Sequence, residues 1–106
     1  MKYKFENVRA IQKAEISPQD IILIKADFNY TVFHLKNGKK LTLAKTLLEC
    51  EQMLESYGFL RPSRSVLINL SFLKTINDSE VVMVNDFISP VSRRRKMNVL
   101  SIIKQK

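Results

Sequence analysis

Arg93-Arg94-Arg95-Lys96 is the densest chemistry in the chain, three guanidinium groups and an ammonium in consecutive positions directly after Ser92. A guanidinium presents a planar fork of donors that matches the oxygens of a phosphate in pairs. A second basic stretch, Arg61-Pro62-Ser63-Arg64-Ser65, interleaves two more arginines with hydroxyls, a mixture suited to phosphate oxygens. Five of the six arginines lie at or after position 61. A third candidate, Asp27-Phe28-Asn29-Tyr30, offers an amide and a phenol that could reach base edges or sugars. Asn29 is equally a turn residue, and Tyr30 equally a half-buried strand residue.

The charge is local. The formal net charge of the 106 residues is +8, and residues 88 to 106 carry six cations and no acid, whereas in residues 1 to 87 twelve cations against ten acids give +2. A localised positive patch concentrates polyanions and speeds their encounter, and nucleic acid is the commonest such partner. The arginines also pose an electrostatic problem. If Ser92 caps a final helix, Arg93, Arg94 and Arg95 occupy its first turn, where the macrodipole disfavours cations by a few tenths of a kcal/mol each. A phosphate would compensate by pairing with the guanidinium groups and accepting the free N–H groups of the helix start. A solvated, poorly formed helix start is the structural alternative.

Other chemistries find little support. No Ser/His/Asp arrangement, glycine-rich phosphate loop or metal motif is visible, so no enzyme activity, cofactor or metal is expected. His34 reads as a structural or surface residue that could also touch phosphate. Cys50, the single cysteine, has no partner for an internal disulfide and reads as a small core hydrophobe. No apolar run approaches the roughly 20 residues of a membrane span. Met1-Lys2-Tyr3-Lys4-Phe5-Glu6 lacks the apolar stretch of a signal peptide, so a cytoplasmic location is expected. With 45% hydrophobic and 26% charged residues, the composition is that of an ordinary globular chain. One domain over residues 1 to 106 is expected.

The elements that must position these groups are mostly strands. Ile21-Ile22-Leu23-Ile24, bounded by Ser17-Pro18-Gln19-Asp20, reads as a strand buried on both faces; the residues before it are a weaker strand candidate. Tyr30 to Lys36 and Lys39 to Ala44 flank Asn37-Gly38, a hairpin signal. A three-residue loop with Gly38 left-handed pairs Phe33 with Leu41 and Thr31 with Leu43. That register gathers Phe33, Leu35, Leu41 and Leu43 inward and leaves Tyr30, Val32 and His34 on the other face. Thr46-Leu47-Leu48-Glu49 is a capping box. It predicts a helix over about 47 to 57 with Leu47, Cys50, Met53, Leu54 and Tyr57 inward and Gly58 as its stop. Residues 59 to 65 read as a basic loop. Strands are expected at 66 to 70, 72 to 76, 81 to 84 and 87 to 91, with turns at Asn77-Asp78 and Asn85-Asp86. The final helix would place Met97, Leu100 and Ile103 on one stripe, with Val99 and Ile102 beside them.

Five stretches in order, Asp20 to Thr31, Asn37-Gly38-Lys39-Lys40, Thr46-Leu47-Leu48-Glu49, Gly58 to Ser65 with Asn69, and Pro90-Val91-Ser92-Arg93-Arg94, resemble the LytTR-type DNA-binding domain of bacterial transcriptional response regulators. The resemblance covers about residues 15 to 104. It implies a mostly β fold with few helices, one internal and one C-terminal, whose loops enter successive major grooves on one face of double-stranded DNA. The family's contact positions match Asn29 and Tyr30, then Arg61, Ser63 and Arg64, then Ser92, Arg93 and Arg94. Many members carry histidine where this chain has Ser63. Most also carry a receiver domain of a two-component system, for which 106 residues leave no room, so an excised output domain, or a protein of little else, is expected. A receiver domain and a second copy are the implied protein partners.

Sequence-specific DNA binding that regulates transcription is therefore the leading expectation. The alternatives are a module of the same fold that acts through protein contacts on another regulator, and a non-specific nucleic-acid binder. RNA recognition would usually stack unpaired bases on exposed aromatics, for which Phe28 and Tyr30 make a thin platform.

Overall fold

In the computed structural model, which describes residues 4–104, Ile21-Ile22-Leu23-Ile24 is buried at every position, as a strand covered on both faces requires. It opens β1 (Ile21–Asp27), the middle strand of a five-stranded antiparallel sheet ordered β3-β2-β1-β5-β4. The neighbours are β2 (Tyr30–Leu35), β3 (Lys40–Leu43), β4 (Phe59–Ser63) and β5 (Val66–Asn69). A bulge between Ile21 and Leu23 breaks the strict alternation of side chains. Ile21 and Ile24 consequently enter one core cluster, while Ile22 and Leu23 enter a second on the opposite side.

The first cluster is roofed by helices α1 (Arg9–Ala14) and α2 (Leu47–Leu54), and includes Phe5, Ile11, Phe33, Leu43, Leu47, Cys50, Met53 and Leu54. The second lies under a three-stranded sheet, β6 (Leu73–Ile76), β7 (Glu80–Met83) and β8 (Ile88–Pro90), together with α3 (Lys96–Lys104). Val81, Met83 and Val99 are its fully buried contributions from those elements. The mostly β fold, with one internal and one C-terminal helix, is thus present, with an additional short helix at the N-terminal side.

The hairpin has the expected register, Phe33 opposite Leu41 and Thr31 opposite Leu43. Gly38 has φ +86°, and the Leu35 N–H donates to the Lys39 carbonyl. The capping box is also formed: the Glu49 N–H donates to Thr46 Oγ1 at 3.1 Å and the Thr46 N–H to Glu49 Oε1 at 3.0 Å. Those bonds hold the Glu49 carboxyl below its ordinary pKa. Cys50 is buried against Thr31 Oγ1 at 3.5 Å, and burial pushes its thiol up to about 11.

Four expectations need correction. The candidate strand before residue 15 is a 3-10 turn over Phe5–Asn7 followed by α1. Ala10, Gln12, Lys13 and Ala14 favour a helix, and Phe5 and Ile11 anchor it to the first core. Helix α2 stops at Leu54 rather than near 57, and a tight turn leaves Tyr57 41% exposed, outside the apolar stripe. Residues 59 to 63 are strand, not loop, because β5 offers an edge on which they pair. Pro62, lacking an N–H, is tolerated there by the edge position and by a bulge between Leu60 and Ser63. Finally, Arg93–Arg95 form a 3-10 turn, so the helical phase starts at Lys96. Val99 with Ile102 and Ile103 then faces inward while Met97 is 75% exposed.

Asn69 ties these layers together. Its side chain is buried, Nδ2 donating to the Ile21 carbonyl at 2.9 Å and the Pro18 carbonyl at 3.3 Å while Oδ1 accepts the Ser71 N–H at 2.9 Å. It thereby fixes the entry to β1 and the 3-10 turn Leu70–Phe72 that leads to the second sheet. Asn69→Ala strands those groups away from water, so a loss of about 2–3 kcal/mol is expected. Urea denaturation should show it as a lower midpoint with an unchanged m-value.

Candidate nucleic-acid interface

The first candidate loop is the turn between β1 and β2, closed by Asp27 opposite Tyr30 with only Phe28 and Asn29 between them. So short a turn forces one residue to positive φ, and here it is Phe28, at +54°. An aromatic residue in the left-handed region is strained. Phe28 is also 99% exposed, so nothing inside the chain compensates for that strain. Asn29 and Tyr30 beside it are exposed.

The second candidate stretch divides between the two sides of the edge strand. Arg61 turns inward, its guanidinium donating to Glu51 Oε1 on α2 at 3.0 Å and to the Arg64 carbonyl at 2.7 Å. Its side chain is only 14% exposed, and Nε is buried with no protein partner. Ser63 Oγ is likewise buried and unpartnered. Arg64, in the two-residue turn to β5, is exposed and forms no ion pair. Of the three matched residues, Arg64 alone presents its charge freely to solvent.

The third stretch begins at Ser92, which stands at the start of the 3-10 turn but makes no side-chain capping bond, contrary to the expected hydroxyl cap. Its carbonyl accepts the Arg95 N–H at 3.0 Å instead. Arg93 and Arg94 are exposed and pair with no acid among the described residues. Arg95 folds back toward the other oxygen of Glu51, at 4.0 Å, and Lys96 pairs with Asp78 at 3.5 Å. The run of four cations is thus split, two neutralised by acids and two left open.

Backbone hydrogen bonds fasten the three loops side by side. The Ala26 N–H, next to the first loop, donates to the Ser65 carbonyl of the second at 2.8 Å, and the Ser92 N–H of the third donates to the Pro62 carbonyl at 2.9 Å. Beside the second and third loops lies a cleft of about 400 Å³ whose wall includes Lys25, Ser63, Arg64, Phe87, Pro90 and Ser92. Lys25 holds its ammonium 5.3 Å from the centre of the Phe87 ring. Arg64 and Lys25 line this opening, and exposed Arg93 and Arg94 directly follow Ser92 on its wall, a concentration of positive charge that suits a polyanion.

Sequence reasoning missed two members of this site, Glu51 and Lys25, and named Phe28 only as part of the first stretch and as a thin stacking platform. Glu51 lies in a helix whose local signals concern only its cap and apolar stripe, and nothing near it announces a pair of arginines ten and 44 positions away. Lys25 sits in a strand that reads as core. Phe28 was detectable, since a large aromatic inside a two-residue turn has no side of a sheet on which to hide. No group of three or more potential metal ligands occurs among the described residues. None of their helices is long and apolar enough to cross a membrane.

Comparison with known proteins agrees with this architecture. A search of curated proteins returns no match. Among solved structures, the LytTr DNA-binding domain of a protein described as a methyl-accepting/DNA response regulator from Bacillus cereus superposes with a TM-score of 0.66. The identity is 22%, over 85% of this chain and 83% of that one. The family model for the LytTr DNA-binding domain matches residues 12–104, nearly the whole described structure. The chain belongs to the LytTR DNA-binding domain family.

Proposed function

We propose that this chain binds double-stranded DNA in a sequence-specific manner, its three loops entering successive major grooves on one face of the duplex, and so regulates bacterial transcription in the cytoplasm. The observation that carries this is the side-by-side fastening of the loops around unpaired Arg64, Arg93 and Arg94. In this reading Arg64, Arg93 and Arg94 supply bidentate contacts to phosphates or guanine edges, and Asn29 and Tyr30 reach base edges from the hairpin tip. Ser63 and Ser92 line the opening; the Ser92 hydroxyl, which makes no capping bond, is available to the backbone, whereas the buried Ser63 hydroxyl would reach it only after a shift of the turn. Arg61 acts through Glu51 and the Arg64 carbonyl, as a positioning residue, rather than by touching DNA. The chain would serve as the output module of a response regulator, its activity controlled by a receiver domain or by a second copy on an adjacent site.

Selection from a pool of randomised duplexes at near-physiological salt, with sequencing of the bound fraction, tests this directly. One enriched motif is expected. Uniform, salt-sensitive retention would mean phosphate binding without base readout, and no retention would favour a module that acts through protein contacts. With about six phosphates neutralised, log affinity should fall against log salt with a slope near −5. A flat slope with binding retained contradicts the arginine roles. Arg64→Ala and Arg93→Ala should each weaken the selected duplex by about tenfold or more while leaving the circular dichroism spectrum intact.

Phe28 offers a test in which stability and function part company. Glycine relieves the left-handed strain at that position at some entropic cost, so Phe28→Gly should stabilise the fold by about 0.5–1 kcal/mol. The same substitution should weaken DNA binding, because the aromatic ring at the tip is lost. A thermal melt and a duplex titration on the same preparation check both signs. A destabilised variant with wild-type affinity would show that Phe28 serves the fold.

A further inference from the structure

Beyond the three loops, a separate cleft of about 310 Å³ opens on the outer face of β1, β2 and β3, lined by Lys25, Ala26, Asp27, Val32, His34 and Lys40. The register explains why its charges meet. His34 on β2 stands directly opposite Lys40 on β3, while Lys25 on β1 stands opposite Val32, one same-face step along β2 from His34. His34 is half-buried, both lysines are exposed, and among the described residues neither lysine pairs with a carboxylate. Once His34 is protonated, two like charges stand directly opposite each other across the sheet, an arrangement that is unfavourable unless an anion joins them. Among the described residues none supplies it: Asp27, the one acid lining the cleft, lies at the turn end, opposite Tyr30.

Lys25 lines this cleft and also the cleft beneath Arg64 and Ser92. The two openings therefore share a wall at Lys25, with Arg64 lining one and His34 and Lys40 the other. We infer that Lys25, His34 and Lys40 form a phosphate-binding site that holds the DNA backbone beyond the three loops. The inference rests on the DNA-binding reading above and lengthens its footprint. Four steps along the strand take Tyr30 to His34, about 13 Å, so the backbone flanking a hairpin tip inserted in the groove would run along β2. Asp27 repels an anion at the turn end and directs the phosphate to the His34 end.

The site makes binding proton-linked. In the free protein, burial first, and then the charges of Lys40 and Lys25, lower the His34 pKa below its ordinary 6.5, so the imidazole is neutral at pH 7. A phosphate seated between the lysines offsets both effects and favours the imidazolium. Binding therefore takes up a proton, and affinity rises as pH falls.

Since His34 is the chain's single histidine, its titration can be followed by NMR in untagged protein without ambiguity. It should be recorded alone, with inorganic phosphate, and with the duplex recovered by selection. The duplex should raise the His34 pKa, and duplex affinity should increase between pH 7.5 and 6 in wild type but not in His34→Gln. Lys25→Gln and Lys40→Gln should each weaken selected and random duplexes alike, by several-fold, and make the salt slope shallower by about 0.9. Wild-type affinity and slope in both lysine variants, with Arg93→Ala still defective, would overturn this site and leave the DNA reading standing. Wild-type binding by Arg93→Ala as well would overturn both. A His34 shift with inorganic phosphate but none with duplex would make this a free-phosphate site and contradict the backbone assignment.

Discussion

The carboxylate of Glu51 decides which arginines are available to a partner. It accepts from Arg61 on one oxygen and faces Arg95 on the other, and so joins the edge strand β4 to the segment that precedes α3. A guanidinium as enclosed as that of Arg61 would be costly without an acid beside it. Once that acid is present, the second arm of Arg61 is free to hold the Arg64 carbonyl and set the turn in which Arg64 projects outward. Arg93 and Arg94 gain their exposure in the same way, because Arg95 is drawn back and fixes the rotation of the 3-10 turn. Neutralising two arginines leaves three others in defined places.

Glu51 can do this because its helix is held at its start and along one face. Helix α2 is pinned at its start by the reciprocal bonds of Thr46 and Glu49, and along one face by Leu47, Cys50, Met53 and Leu54 buried in the first core. The sheet beneath it carries two bulges, one dividing the apolar run of β1 between two cores and one accommodating Pro62 at the edge. The second bulge leaves the Pro62 carbonyl to accept the Ser92 N–H, so an irregularity of the edge strand joins the second and third loops. A rigid scaffold presenting short loops is the usual way that a binding surface combines precision with chemical variety.

Local signals carried most of the fold. The hairpin register followed from the requirement that Phe33, Leu35, Leu41 and Leu43 share a side, and the start of α2 from four residues with reciprocal hydrogen-bonding capacity. What was not legible depended on distant partners. Residues 59 to 63 look like loop because Arg61 and Pro62 interrupt the apolar pattern, and only the edge of β5 makes them a strand. Met97 looks like core until the 3-10 turn over Arg93–Arg95 shifts the helical phase. For the site, the residue types and the three stretches were visible from arginine placement and from family resemblance. The division of labour between Arg61 and Arg64 was not, because it is settled by an acid on another element.

The measurement closest to the central claim is the ratio of affinities for the selected and a random duplex in Glu51→Gln, at a temperature where the variant remains folded. Removing an acid from a cationic surface should by itself strengthen binding to any DNA, so electrostatics and geometry predict opposite signs. If Glu51 positions the arginines, affinity for the selected duplex falls, random-duplex affinity holds or rises, and the ratio drops by about tenfold or more, roughly 1.4 kcal/mol. An unchanged ratio, with both affinities equal to or above those of the wild type, would show that Arg64, Arg93 and Arg94 find their places without it.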